Sequence, residues 1–177
     1  MGTKYFKELD LTLLERSLSD LETSATSAFP DTKKRHNALG SVRVAHVTYE
    51  RPDNDKLLVT AKMAGETNDY TTQILLEGVE FVSTETQGSV DIGATENIMP
   101  ISASHNDCKV LCGCLDFYYT FAWYDYNRDA LIGKPPKPYQ KVPGSNRPPR
   151  NPTNAPGICK HVMKLAEHLK AQGVMTS

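Results

Sequence analysis

Cys112-Gly-Cys114 and, beyond an insert of residues 115–158, Cys159-Lys-His161 constrain this chain more than any other feature of its sequence. Zinc takes four soft or borderline ligands in a tetrahedron, and structural sites fill all four positions with Cys thiolates and His imidazoles. Residues two apart on an extended segment share a face, so Cys112 and Cys114 can point at one spot. A Cys-x-His pair at a helix start can meet them there. Such a helix start also favours thiolate at Cys159. The expected ligands are therefore Cys112, Cys114, Cys159 and His161, and the expected cofactor is zinc. Buried free thiols are the plain alternative, since Cys is among the most buried residue types. Disulfides are another, although a Cys-x-Cys bridge is geometrically poor and leaves His161 unexplained. Cys108 is the rival ligand: alternation puts it on the face of Cys114 but about 20 Å away along a strand, so only a bulge or turn brings it in.

The order CxC…CxH, over residues from about Lys109 to Gln172, resembles the SWIM type of zinc finger, with a longer insert between the pairs than that pattern usually has. The insert carries Asp116-Phe117, an aromatic run (Tyr118, Tyr119, Phe121, Trp123, Tyr124, Tyr126), then Arg150-Asn151-Pro152 and Pro156-Gly157-Ile158-Cys159-Lys160-His161. That combination is similar to small virion structural proteins of tailed bacteriophages. The two resemblances imply a zinc-stapled structural or interaction protein of a phage particle (head–tail connection, tail or baseplate), made in the host cytoplasm. Its partners would be other virion proteins. The alternative they imply is a SWIM-like nucleic-acid-binding module.

No nucleotide-binding, nucleophile-elbow or zinc-protease motif is present. A catalytic zinc keeps a coordination position for water, whereas three Cys and one His leave none. Cys159 and His161, two apart on one helix, should diverge by about 200°, which argues against a nucleophile–base pair. The expectation is a protein without catalytic activity and without a small-molecule substrate. No apolar run approaches the roughly 18 residues of a membrane helix, and Met1–Asp10 lacks the apolar stretch of a secretory signal. Four cysteines without such a signal suit a reducing compartment. Net charge is near zero, yet acids dominate from Met63 to Cys108, and residues 130–166 hold Lys134, Lys137, Lys141, Arg147, Arg150, Lys160 and Lys164 with no acid. Lys134, Lys137, Lys141, Arg147 and Arg150 are the candidate contacts to an anionic partner or nucleic acid; chance clustering of solvated charges is the other reading.

Leu11, Leu14, Leu18 and Leu21 predict an amphipathic helix over 8–23, with Asp10 as N-cap and a capping box at Thr12 and Glu15. Small polar residues and Pro30 make 24–40 a linker, whose Lys33-Lys34-Arg35 could touch an anionic partner. From Ser41 the period becomes two. Strands are expected at 41–49, 56–63, 70–76, 80–86, 90–93 and 109–114, with turns at 50–55 and 64–69. The aromatic run keeps no clean period and reads as core around the metal, with base stacking as its functional alternative. The proline-dense span 133–156 excludes a regular element. A helix follows from near Cys159, striped by Ile158, Val162, Leu165, Ala166 and Leu169 and closed by Gly173. The fold class is α+β: an antiparallel β meander with an N-terminal helix and a C-terminal helix clamped by the zinc site. Residues 1–40 form a helix-and-linker arm, and 41–177 the zinc-stapled body.

Overall fold

A computed structural model of the chain describes residues 16–29, 39–65, 68–93, 96–138, 144 and 149–177. The α+β class holds. The period-two segments form β1 (Arg43–Asp53), β2 (Lys56–Ala64) and β3 (Asp69–Glu77), three successive antiparallel strands. The first turn contracts from the expected 50–55 to Asn54 and Asp55, because Asp53 pairs with Lys56. Alternation sorts β2 cleanly: Leu57, Val59, Ala61 and Met63 are buried, and Lys56, Leu58, Thr60 and Lys62 face away.

The chain then leaves the meander. β4 (Phe81–Val82), β5 (Val90–Asp91) and β6 (Asn97–Ile98) make a small separate sheet in the order β4-β6-β5, and β7 (Ile101–Ser102) follows. β8 (Cys108–Cys112) returns to pair antiparallel with β3, completing a four-stranded sheet, β1-β2-β3-β8. The expected strands at 80–86 and 90–93 shrink to two-residue pairs, since Ser83-Thr84-Glu85-Thr86 bends into a turn fixed by Thr86 N–H on the Ser83 carbonyl. β9 (Met175–Thr176) runs parallel to β7 and ties the chain end to the middle of the molecule.

The N-terminal helix, α1, spans Leu18–Ala28, later than the leucine spacing suggests. Ser17 is its N-cap, in a reciprocal capping box with Asp20. Asp10, Leu11, Leu14 and the Thr12–Glu15 box lie outside the described residues, as do Lys33, Lys34 and Arg35. Ser24 to Ala28, expected as linker, are helical because tertiary contacts override weak propensity. Ala25 is fully buried, and the Ser24 hydroxyl donates to the Pro156 carbonyl at 2.8 Å.

α2 (Leu115–Thr120) and α3 (Ala122–Asn127) take up the aromatic run. Phe117 and Phe121 enter the core, but Tyr118, Tyr119 and Tyr126 face outward, correcting the expectation that the run is core around the metal. Residues 132–138 and 149–159 hold no helix or strand, as their prolines require. α4 (Lys160–Ala171) lays Val162, Leu165, Ala166 and Leu169 against the inner sheet face, and Gly173 ends it at φ +75°. Among the described residues, no helix is long and apolar enough to cross a membrane.

Asp125 on α3 fixes the approach to α4. Its Oδ1 accepts the Gly157 N–H at 2.7 Å, while its Oδ2 is buried without a partner. Burial pushes the carboxyl well above the usual range, against the opposing pull of the Gly157 amide. The native state thus keeps a proton that the unfolded carboxyl releases near pH 4. This contribution is complete below the unfolded pKa and declines as pH rises through the window up to the folded one. Asp125→Asn keeps the acceptor for Gly157 and removes the titration. The melting-temperature gap between variant and wild type should therefore shift in the variant's favour as pH rises from 4 to 7; a constant gap would contradict this.

Candidate metal centre

The four expected ligands converge. The sulfurs of Cys112, Cys114 and Cys159 and a ring nitrogen of His161 all lie within 4.8 Å of one another, and all four residues are buried. Each is placed by a different local device. Cys112 ends β8 opposite Thr72 of β3, whose hydroxyl donates to Cys112 Sγ at 3.4 Å. The Gly113 N–H donates to the Thr71 carbonyl at 3.0 Å, so the chain stays extended for one more step. Cys114 lies beyond the strand, not on it, but its backbone remains extended (φ −78°, ψ 148°), which preserves the shared face. Its sulfur caps α2 by accepting the Phe117 N–H at 3.3 Å.

Cys159 is the N-cap of α4, with extended backbone (φ −84°, ψ 170°), and its side chain makes no capping bond. The roughly 200° divergence expected for two helical positions therefore does not arise. Cys159 Sγ and His161 Nδ1 stand 3.9 Å apart. The Tyr70 ring packs at 4.8 Å from the imidazole, tilted by 50°. Thr72, Tyr70 and the Phe117 amide are absent from a sequence reading because the β3–β8 register, not local spacing, brings Thr72 and Tyr70 to the site.

The thiols interact strongly. Hydrogen bonds from Cys114 and Cys159 pull Cys112 down to about 3, whereas burial, then Cys112 and Cys114, push Cys159 well up. The last effect overrides the helix-terminus preference for thiolate expected at Cys159. One thiolate is readily accommodated here; a second and third in the same dry volume repel it unless a cation is present. A tetrahedron with metal–sulfur bonds of about 2.3 Å has edges of about 3.8 Å, so the group needs only a small contraction to close on an ion. Donor type, number, burial and spacing thus fit a metal of zinc's preferences.

Cys108 does not join them. It is buried at the far end of β8, paired with Leu76, and burial together with Asp125 raises its thiol far above the normal range. Metal content should therefore survive Cys108→Ser and be lost in Cys114→Ser, read by elemental analysis of the two purified proteins. The reverse pattern would move the site.

Of the five cationic candidates, Lys134, Lys137 and Arg150 are exposed, and Lys141 and Arg147 lie outside the described residues. Lys134 and Lys137 border a depression of about 400 Å³ that Tyr118, Phe117 and Cys112 also line. The Arg150 guanidinium sits 5.3 Å from the centre of the Tyr119 ring.

Compared with protein-family models, curated proteins and solved structures, the chain matches none.

Proposed function

We propose that this is a non-enzymatic structural protein in which one zinc ion, held by Cys112, Cys114, Cys159 and His161, clamps the C-terminal helix to the β-sheet. The observation that supports it is the convergence of four buried donors from β8, the start of α2 and the start of α4. The closed donor set leaves no position for an activated water. Cys159 is fully buried, so its short approach to His161 offers no substrate a nucleophile.

The clamp's product is a rigid surface. α2, capped by Cys114, presents Leu115, Tyr118 and Tyr119 to solvent, with Leu115 66 % exposed. Aromatic side chains supply large contact area at low entropic cost, and exposed apolar clusters of this kind mark interaction sites. Together with the motif resemblance to tailed-phage structural proteins, this supports a place in a virion, docked on other virion proteins. Mass spectrometry of purified particles should find the chain at stoichiometric level; its absence from them would sink the virion reading.

One observation favours a second reading. Arg150 over Tyr119, with Lys134 and Lys137 beside Tyr118, combines cations and exposed rings as single-strand nucleic-acid binders do. Salt-sensitive oligonucleotide binding that falls in Lys134→Ala, Lys137→Ala and Arg150→Ala would support that alternative.

A further inference from the structure

We infer that the free edge of β1 is a self-pairing surface through which two copies of this chain join their sheets, antiparallel, about a two-fold axis at Thr48. The two edges of the four-stranded sheet differ. On the β8 side, Val110 exchanges backbone hydrogen bonds with Ala130 and Ile132, so that edge is covered. On the β1 side, no strand pairs with the outer edge among the described residues. An uncovered edge is a row of unpaired backbone donors and acceptors.

The composition of β1 selects the occupant. Its pairing with β2 is regular from His46 to Glu50 and is interrupted on either side, between Val44 and His46 and between Glu50 and Asp53. Thr48 is the centre of that regular run. Antiparallel pairing about Thr48 sets each His46 opposite the second copy's Glu50, on the sheet's outer face. It sets each Val47 opposite the second copy's Tyr49, on the inner face. His46, Thr48 and Glu50 are exposed, and Val47 and Tyr49 are half-buried, so the pairing covers what the single sheet leaves open. An imidazole N–H can donate to the facing carboxylate, and an aromatic ring opposite a β-branched residue is a favourable cross-strand pair. Beyond the irregularities, Arg43 falls opposite the second copy's Asp53. Arg51, which would otherwise add an unmatched charge, is held over the Phe81 ring at 4.0 Å and by Glu96 at 3.4 Å. Moving the axis by one residue, to Val47 or to Tyr49, shifts the register by two and loses the His46–Glu50 match. Complementarity is specific to Thr48.

Sedimentation equilibrium of the full chain, metal-loaded and in reductant, tests this over a series from low to high micromolar. A reversible monomer–dimer equilibrium is expected, weak because a short strand pairing falls below the roughly 1,200 Å² of standard interfaces. His46→Glu places like charges opposite each other twice and should weaken the dimer about tenfold. Glu50→Lys should weaken it too. The double variant His46→Glu with Glu50→Lys reverses the pair and should recover dimerisation, which an effect on folding would not produce. Both sites are exposed, so melting of the monomer should be unchanged. A chain monomeric throughout, or a dimer indifferent to both single reversals, or a double variant no better than the singles, would overturn the inference.

Discussion

Stripping the metal with a chelator is expected to abolish amide-exchange protection around Ile158–Met163 and Gly113–Phe121 while β2 and the centre of β3 keep most of theirs. The clamp joins segments separated by residues 115–158. On the chain-entropy scale, a cross-link closing a loop of that length is worth roughly 4 kcal/mol, or about a thousandfold in local protection. Metal loss also leaves three thiols and an imidazole buried with no shared partner. Helix α4 has its own anchors in Val162, Leu165 and Leu169, all buried against the sheet, so the loss should be steepest in its first turn. The sheet has an independent core in Leu57, Val59, Ile74 and Leu76, each without exposed surface. A chain this long buries enough apolar area to stand without metal. Equal loss of protection across both halves would contradict a local clamp, and so would no loss at Ile158–Met163.

Phe121→Ala is expected to cost about 3–5 kcal/mol of folding stability, the usual range for emptying a buried aromatic site. Phe121 is fully buried where α1, α3 and the segment entering α4 meet, edge-on to Phe29 with ring centres 5.6 Å apart. Gly157 packs against it so closely that an added Cβ would lie 2.9 Å from Phe121 Cε1 and 2.8 Å from Ala25 Cβ. Gly157→Ala should therefore cost about 1–3 kcal/mol by overpacking. In the Phe121→Ala background that cost should shrink, because the vacated volume accepts the methyl; denaturant unfolding of the two singles and the double measures the coupling. Strict additivity would show that Gly157 is small for a different reason, since Ala25 alone would then set the limit.

The parts of this molecule that could be read from the sequence are those written in local periodicity. Alternation in 56–63 and 70–76 gives β2 and β3 nearly to the residue, and Gly173 marks the end of α4. The ligand quartet was legible because each half is a two-residue spacing with one geometric meaning. The rest depends on partners distant in the chain. Two-residue strands such as β4 and β5 have no period to detect, so the excursion between β3 and β8 was hidden. The leucine stripe sets the α1 start too early because Leu11 and Leu14 extend it, whereas the effective start signal is the Ser17–Asp20 capping box. Helical spacing separates Cys159 from His161, but Cys159 caps the helix with extended backbone and so stands beside it. Thr72 reaches Cys112 only through strand register, and no spacing announces that.

If Cys112, Cys114, Cys159 and His161 hold one zinc ion, the metal and its neighbours can be counted directly. Protein purified in reductant without chelator should carry one equivalent of zinc per chain. X-ray absorption at the zinc edge should show three sulfur neighbours at about 2.3 Å and one nitrogen at about 2.0 Å. Protein that emerges from this purification carrying no zinc, or a shell lacking either the sulfurs or the nitrogen, would contradict it.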